Sequence, residues 1–178
     1  MRKDNPFKLP RRLIRKYGTS DPFYIAEMEG IHIIMRDDFV KQKGAFAVVL
    51  NNRFIFINNN LSRPMKLIVC AHELGHALRH WRLCKRIALY EMKLFDMRNP
   101  LEREANLFAA GLLIDEDRLM ECLMKGYSIQ QAAMELETIP DLVTILLQEM
   151  KDQMELPENI PVPPRNNFLG TVQDEDYY

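Results

Sequence analysis

His72-Glu73-Leu74-Gly75-His76 sets two imidazoles four residues apart, with a carboxylate between them. Four residues advance a helix by about one turn, so His72 and His76 project from the same face, one above the other. Two imidazoles at that spacing reach a single Zn2+ at about 2.0–2.1 Å. Glu73 is offset around the helix, close enough to reach a water on the ion without filling a coordination position. From there it takes the water's proton and passes it to a leaving amine, which is acid–base catalysis of peptide hydrolysis.

A tetrahedral catalytic ion needs a third protein ligand and one open position. A metzincin would carry Gly and a third His where this chain has Arg79 and Arg82, so that class is excluded. His80 lies one turn beyond His76. A single helix does not easily wrap three turns around one ion, so His80 reads as a neighbour of the ligands or as a surface residue. The stretch Leu101-Glu102-Arg103-Glu104-Ala105-Asn106 offers two carboxylates. Asn99-x-x-Glu102 matches a capping box, which gives Glu102 a structural task at a helix start. At ~100° per residue, Glu104 sits about 40° from Phe108 and 60° from Leu101, on the flank of the stripe Leu101, Ala105, Phe108 and Leu112. That stripe should pack on the metal helix, so Glu104 is favoured as third ligand, with Glu102 as the alternative.

These side chains must be positioned by two helices, and the flanking text supplies them. Ser62 and Pro64 open a long helix through the histidines, and Asn99-Pro100 opens a second through about Leu113. Upstream, Ser20 or Asp21 caps a short helix that Gly30 stops. Ile31–Met35 reads as a strand, and Phe46–Leu50 and Arg53–Ile57 read as a hairpin turning at Asn51-Asn52. Downstream, Asp115 and Ser128 start short helices, with Ser128-x-x-Gln131 a capping box, and Thr138-Ile139-Pro140-Asp141 opens a last helix to roughly Met154. The expected fold class is α+β: a small sheet containing an antiparallel hairpin, packed on a zinc helix and a second ligand helix, followed by a helical C-terminal part.

The chain's 178 residues are 47% apolar and 28% charged, proportions of a globular domain rather than a disordered chain. Its longest apolar run, Ala45–Leu50, is far short of the roughly 18 residues that span a bilayer. The start of the sequence has no apolar core of a secretory signal, and Cys70, Cys84 and Cys122 show no C-x-x-C spacing. The expected setting is therefore the cytoplasm, with reduced thiols. A net charge of −1 argues against a surface given over to nucleic acid. That sum hides an uneven distribution: residues 1–16 hold seven basic side chains against one acidic, and residues 126–178 hold two against ten. Ser128–Met150 has the outline of a helix-turn-helix. However, Gly126–Met150 lacks any Lys or Arg and carries Glu135, Glu137, Asp141 and Glu149, which opposes DNA binding. Those acidic groups, if exposed, suit a basic protein partner instead.

Cys70-Ala71-His72-Glu73-Leu74-Gly75-His76-Ala77-Leu78-Arg79-His80 and Glu102–Leu113 together resemble the ImmA/IrrE family of zinc metallopeptidases, gluzincin-like enzymes of bacteria, phages and mobile elements. The likeness runs over about residues 20–150. One departure is Ile114-Asp115, where the family's second motif usually continues Met-Pro. The resemblance implies zinc held by His72, His76 and Glu104, with Glu73 as general base. It also implies cleavage of a helix-turn-helix repressor, relieving repression of a mobile element or stress regulon. The expected division is a basic arm over 1–19, a metallopeptidase core over 20–125, a helical subdomain over 126–155 and a Pro-rich acidic tail over 156–178. No motif fixes the group that would stabilise an oxyanion; Tyr90, Arg103 and Tyr127 are candidates by chemistry alone. A regulator that binds zinc and its partner without cutting is the alternative to an enzyme, and the intact Glu73 speaks against it.

Overall fold

The structure is a computed structural model describing residues 5–84 and 99–153, with the isolated positions 156, 160 and 162. Tyr90 and nearly all of the expected tail over 156–178 lie outside the described residues.

Helix α1 (Lys8–Tyr17) takes up most of the basic N-terminal segment. Its buried face, Pro10 and Leu13 with the preceding Phe7, packs against a later helix, while Lys8, Arg12, Arg15 and Lys16 face outward. Arg11 forks onto Glu116 through contacts of 2.7 and 2.8 Å. Residues 7–17 of the stretch read as an arm are thus part of the packed body. Helix α2 (Pro22–Met28) starts where expected: Asp21 accepts from the Phe23 amide at 2.9 Å. It ends at Gly30, whose φ of 68° is the left-handed conformation that glycine adopts without strain.

Strands β1 (Ile31–Arg36), β2 (Gly44–Val49) and β3 (Asn52–Asn58) form one mixed sheet in the order β1-β3-β2. β3 pairs parallel with β1 and antiparallel with β2, with Phe46 opposite Ile55 and Val49 opposite Asn52. The hairpin turn is therefore Leu50-Asn51, one residue earlier than the asparagine pair suggests. Both residues have positive φ, 49° and 66°, as a two-residue turn of this hand requires.

Helix α3 (Arg63–Arg79) lies against the sheet, and the short α4 (Trp81–Cys84) follows it. Ser62 occupies the N-cap of α3, but its hydroxyl makes no capping bond; Pro64 in the first turn sets the start. Helix α5 (Pro100–Leu113) packs along α3 and is the central element, with α1 and the last helix laid on its other sides. It is buried almost all round, from Ala105 through Leu112. Asp115 caps α6 (Glu116–Met124) by accepting from the Arg118 amide at 3.1 Å.

The capping box expected at Ser128 is complete in α7 (Ile129–Glu135): Gln131 N–H donates to Ser128 Oγ and Ser128 N–H to Gln131 Oε1. Helix α8 (Pro140–Asp152) ends the described fold, with Leu142, Val143, Ile145, Leu146 and Leu147 buried against the rest. No described helix is long and apolar enough to cross a membrane.

Candidate metal centre

The middle of α3 is buried without a break from Ile68 to Ala77, so its polar residues face protein rather than water. His72, Glu73 and His76 are each at most 1% exposed. Their rings stand as the four-residue spacing requires, with centroids 4.8 Å apart and the two Nε2 atoms 3.2 Å apart. A buried polar cluster without partners is costly, so the surroundings must account for it.

The third member comes from α5, and it is Glu102. One ligand atom each from His72, His76 and Glu102 lies within 4.8 Å of the others. Glu102 Oε2 is 3.2 Å from His72 Nε2 and 3.7 Å from His76 Nε2, close but without the alignment of a hydrogen bond. Both oxygens of Glu102, and Oε2 of Glu73, are buried with no hydrogen-bond partner. Two imidazole nitrogens and orphaned carboxylate oxygens turned on one point form the donor set of a divalent cation such as zinc. The residues fit the metal that the motif requires.

Glu104, favoured from the helical wheel, stands elsewhere. Its side chain is 42% exposed; Oε2 accepts from Arg79 Nε at 3.0 Å and forms an ion pair with Arg79 Nη2 at 3.0 Å, with His80 Nε2 at 3.3 Å. Two physical causes set Glu102 rather than Glu104 beside the histidines. Asn99 does cap α5, accepting from the Leu101 amide at 3.0 Å. The reciprocal half of the box is not made, because the oxygens of Glu102 bond to no donor. Second, the stripe does turn Ala105 and Phe108 toward α3, but Glu102 and Glu104 flank it on opposite sides, and spacing alone does not say on which side the histidines stand. That side runs through Glu102, Ala105 and Asn106, spaced as one helix face. Gly75 makes the contact close: a Cβ there would stand 3.2 Å from Ala105 Cα and 3.2 Å from Phe108 Cβ.

Two neighbours of the ligands are less visible in the sequence. Asn106 Oδ1 lies 2.9 Å from His72 Nδ1, and His80 Nδ1 lies 2.9 Å from His76 Nδ1. His80 is 4% exposed, with Nδ1 on His76 and Nε2 on Glu104, so it is a buried neighbour of His76 rather than a surface group. Asn106 had one available signal, its place one turn after Glu102 on a helix otherwise apolar there. Of the oxyanion candidates, Arg103 is paired with Glu149, and Tyr127 lines an open surface hollow with Gln131, Met134 and Glu135. Asp141 and Glu149 are buried, leaving only Glu135 and Glu137 of the four acidic residues exposed to a partner.

The electrostatics separate the two carboxylates. Burial pushes Glu73 up to about 7; His72 opposes this and the charge of Glu102 adds to it. Burial acts on Glu102 too, but the two histidine rings outweigh it and hold that carboxyl at about 2. Burial lowers His76 to about 4, whereas His72, next to both carboxylates, is raised. Glu102 is thus ionised and ligand-like, while Glu73 is poised to hold and release a proton near neutral pH.

Two histidines one turn apart on a buried helix, a glutamate beside them, and a carboxylate from a second helix define a metallopeptidase-type centre on an α+β frame. The chain belongs to the M78 peptidase family, described as the IrrE N-terminal-like domain, whose model matches residues 26–141. It is 30% identical to metallopeptidase ImmA of Bacillus subtilis over 136 residues, covering 74% of this chain and 77% of that protein. It is 37% identical to uncharacterized immunity region protein 2 of Bacillus phage phi105 over 106 residues, covering 60% of this chain and 66% of the phage protein.

Proposed function

We propose that this chain is a zinc-dependent endopeptidase that cuts one bond in a helix-turn-helix repressor, with His72, His76 and Glu102 as metal ligands and Glu73 as general base. The observation carrying the reading is the orphaned oxygen of Glu73 beside an otherwise complete ligand set. A purely structural site needs the ligands alone, and a buried, unpartnered fourth group would only destabilise it. Bound zinc would supply Lewis-acid polarisation of a carbonyl and acidification of water.

The protein's own groups do the rest. Glu73 accepts the proton of the attacking water and delivers it to the departing amide nitrogen, so that the amine leaves neutral. Glu102 stays ionised throughout, which its low pKa favours. Asn106 and the packing of Gly75 on α5 hold the ligands in place.

The repressor as substrate is supported by the ImmA/IrrE resemblance, and one relative is named as an immunity region protein. The exposed Glu135 and Glu137 supply a surface of the right sign for a basic DNA-binding protein. The test is incubation of the zinc-loaded protein with the repressor encoded beside its gene, read by intact mass. Two fragments whose masses sum to the repressor plus one water are expected, and none with Glu73→Gln. A repressor bound but still intact would replace the peptidase with a zinc-binding regulator.

A further inference from the structure

Glu104, displaced from the ligand set, ends a chain of contacts that leads back to it. Glu104 Oε2 meets His80 Nε2 at 3.3 Å, and His80 Nδ1 meets His76 Nδ1 at 2.9 Å. His76 Nε2 faces His72 and Glu102. An ionised carboxylate only accepts, so the hydrogen on His80 belongs on Nε2 and its Nδ1 keeps a lone pair. Where two ring nitrogens face each other at hydrogen-bond distance with no cation to share, one must donate; the Nε2 atoms of His72 and His76, 3.2 Å apart, face the proposed metal instead. Between His80 and His76 the donor is then His76 Nδ1, and the lone pair of His76 stays on Nε2, pointing at the cluster. The opposite tautomer would aim an N–H at the ligand site.

We propose that His80 and Glu104 are positioning residues, which fix His76 as its Nδ1–H tautomer and so keep its Nε2 ready for the metal. This rests on His76 being a ligand. Asn106 Oδ1, which accepts only, does the same for His72 in one step. Arg79 completes the relay by holding the Glu104 carboxylate through two 3.0 Å contacts. Partners that orient a metal-binding histidine typically change metal affinity by about 10–100-fold when lost.

The experiment measures zinc affinity of the full chain against a chromophoric chelator, alongside 1H–15N long-range correlation spectra that report histidine tautomers. Glu104→Leu should weaken zinc by about tenfold or more and move the His80 hydrogen from Nε2 toward Nδ1. Glu104→Gln, whose amide oxygen still accepts, should restore both readings. Glu104 is partly exposed, so these variants test the relay even where His80→Ala fails to fold. Wild-type affinity in Glu104→Leu, or His80 protonated at Nδ1 in the wild type, overturns the relay. Glu102→Ala in the same titration separates the two claims. If it loses zinc while Glu104→Leu does not, only the relay is wrong. If it binds like the wild type, the ligand set itself is wrong.

Discussion

At the level of single residues, the centre divides two buried glutamates into opposite roles. Glu73 at about 7 stands above its ordinary 4.5, so the fold favours its protonated form. The folded state therefore binds more protons than the unfolded one between those values, and stability falls as pH rises through them. In metal-free protein that loss is on the order of 3 kcal/mol, complete above pH 7. Glu73→Gln removes it, so denaturant unfolding in the presence of a chelator at pH 8 should show the variant more stable than the wild type. At pH 4 the difference should vanish. With zinc restored, the same variant should bind metal and lose about 10²–10⁴-fold in hydrolysis. The meeting of His72 and His76 was legible from spacing alone, because a helix turn converts sequence distance into a shared face. The choice of Glu102 over Glu104 was not, because the two flank the same stripe on opposite sides and spacing does not say on which side the histidines stand. That choice depends on how α5 is rotated against α3.

At the level of elements, the seam between α3 and α5 decides whether a site forms. Gly75 lies within the histidine motif and lets Ala105 and Phe108 approach so closely that an added Cβ, 3.2 Å from each, would require the neighbours to give way. Gly75→Ala should force the two helices apart, costing about 1–3 kcal/mol in denaturant unfolding. It should also weaken zinc binding measurably, because Glu102 rides on the displaced helix. Stability loss with unchanged zinc affinity would mean that the seam does not position the ligand. Most of the helices and strands were readable from local chemistry: Asp21, Asn99, Asp115 and Ser128 each accept a capping hydrogen bond near the expected start. The hairpin turn moved by one residue because the pairing register, a non-local property, places Leu50 and Asn51 at its tip.

Across the whole molecule, charge and packing tell different stories about the same segments. The basic N-terminal stretch has an outward charged face, yet Phe7 is fully buried and a Cβ on Gly111 of α5 would stand 2.7 Å from its ring. Charge counting saw only the exposed half of this amphipathic segment. Phe7→Ala should cost about 3–5 kcal/mol in unfolding free energy; a loss below 1 kcal/mol would show that the segment is only an appendage. At the other end, Asp141 and Glu149 are inside the fold, so the acidic surface offered to a partner is smaller than the sequence suggests. Helices α1 and α8 both pack on α5, the helix that carries Glu102. The roles of all these residues depend on where the metal sits. Anomalous diffraction at the zinc absorption edge, on crystals of the zinc-loaded protein, locates it directly. A single peak shared by His72 Nε2, His76 Nε2 and Glu102, with Glu73 beside it but not coordinating, is the predicted result. A peak coordinated by Glu104 or His80, or none within reach of His72 and His76, would contradict it.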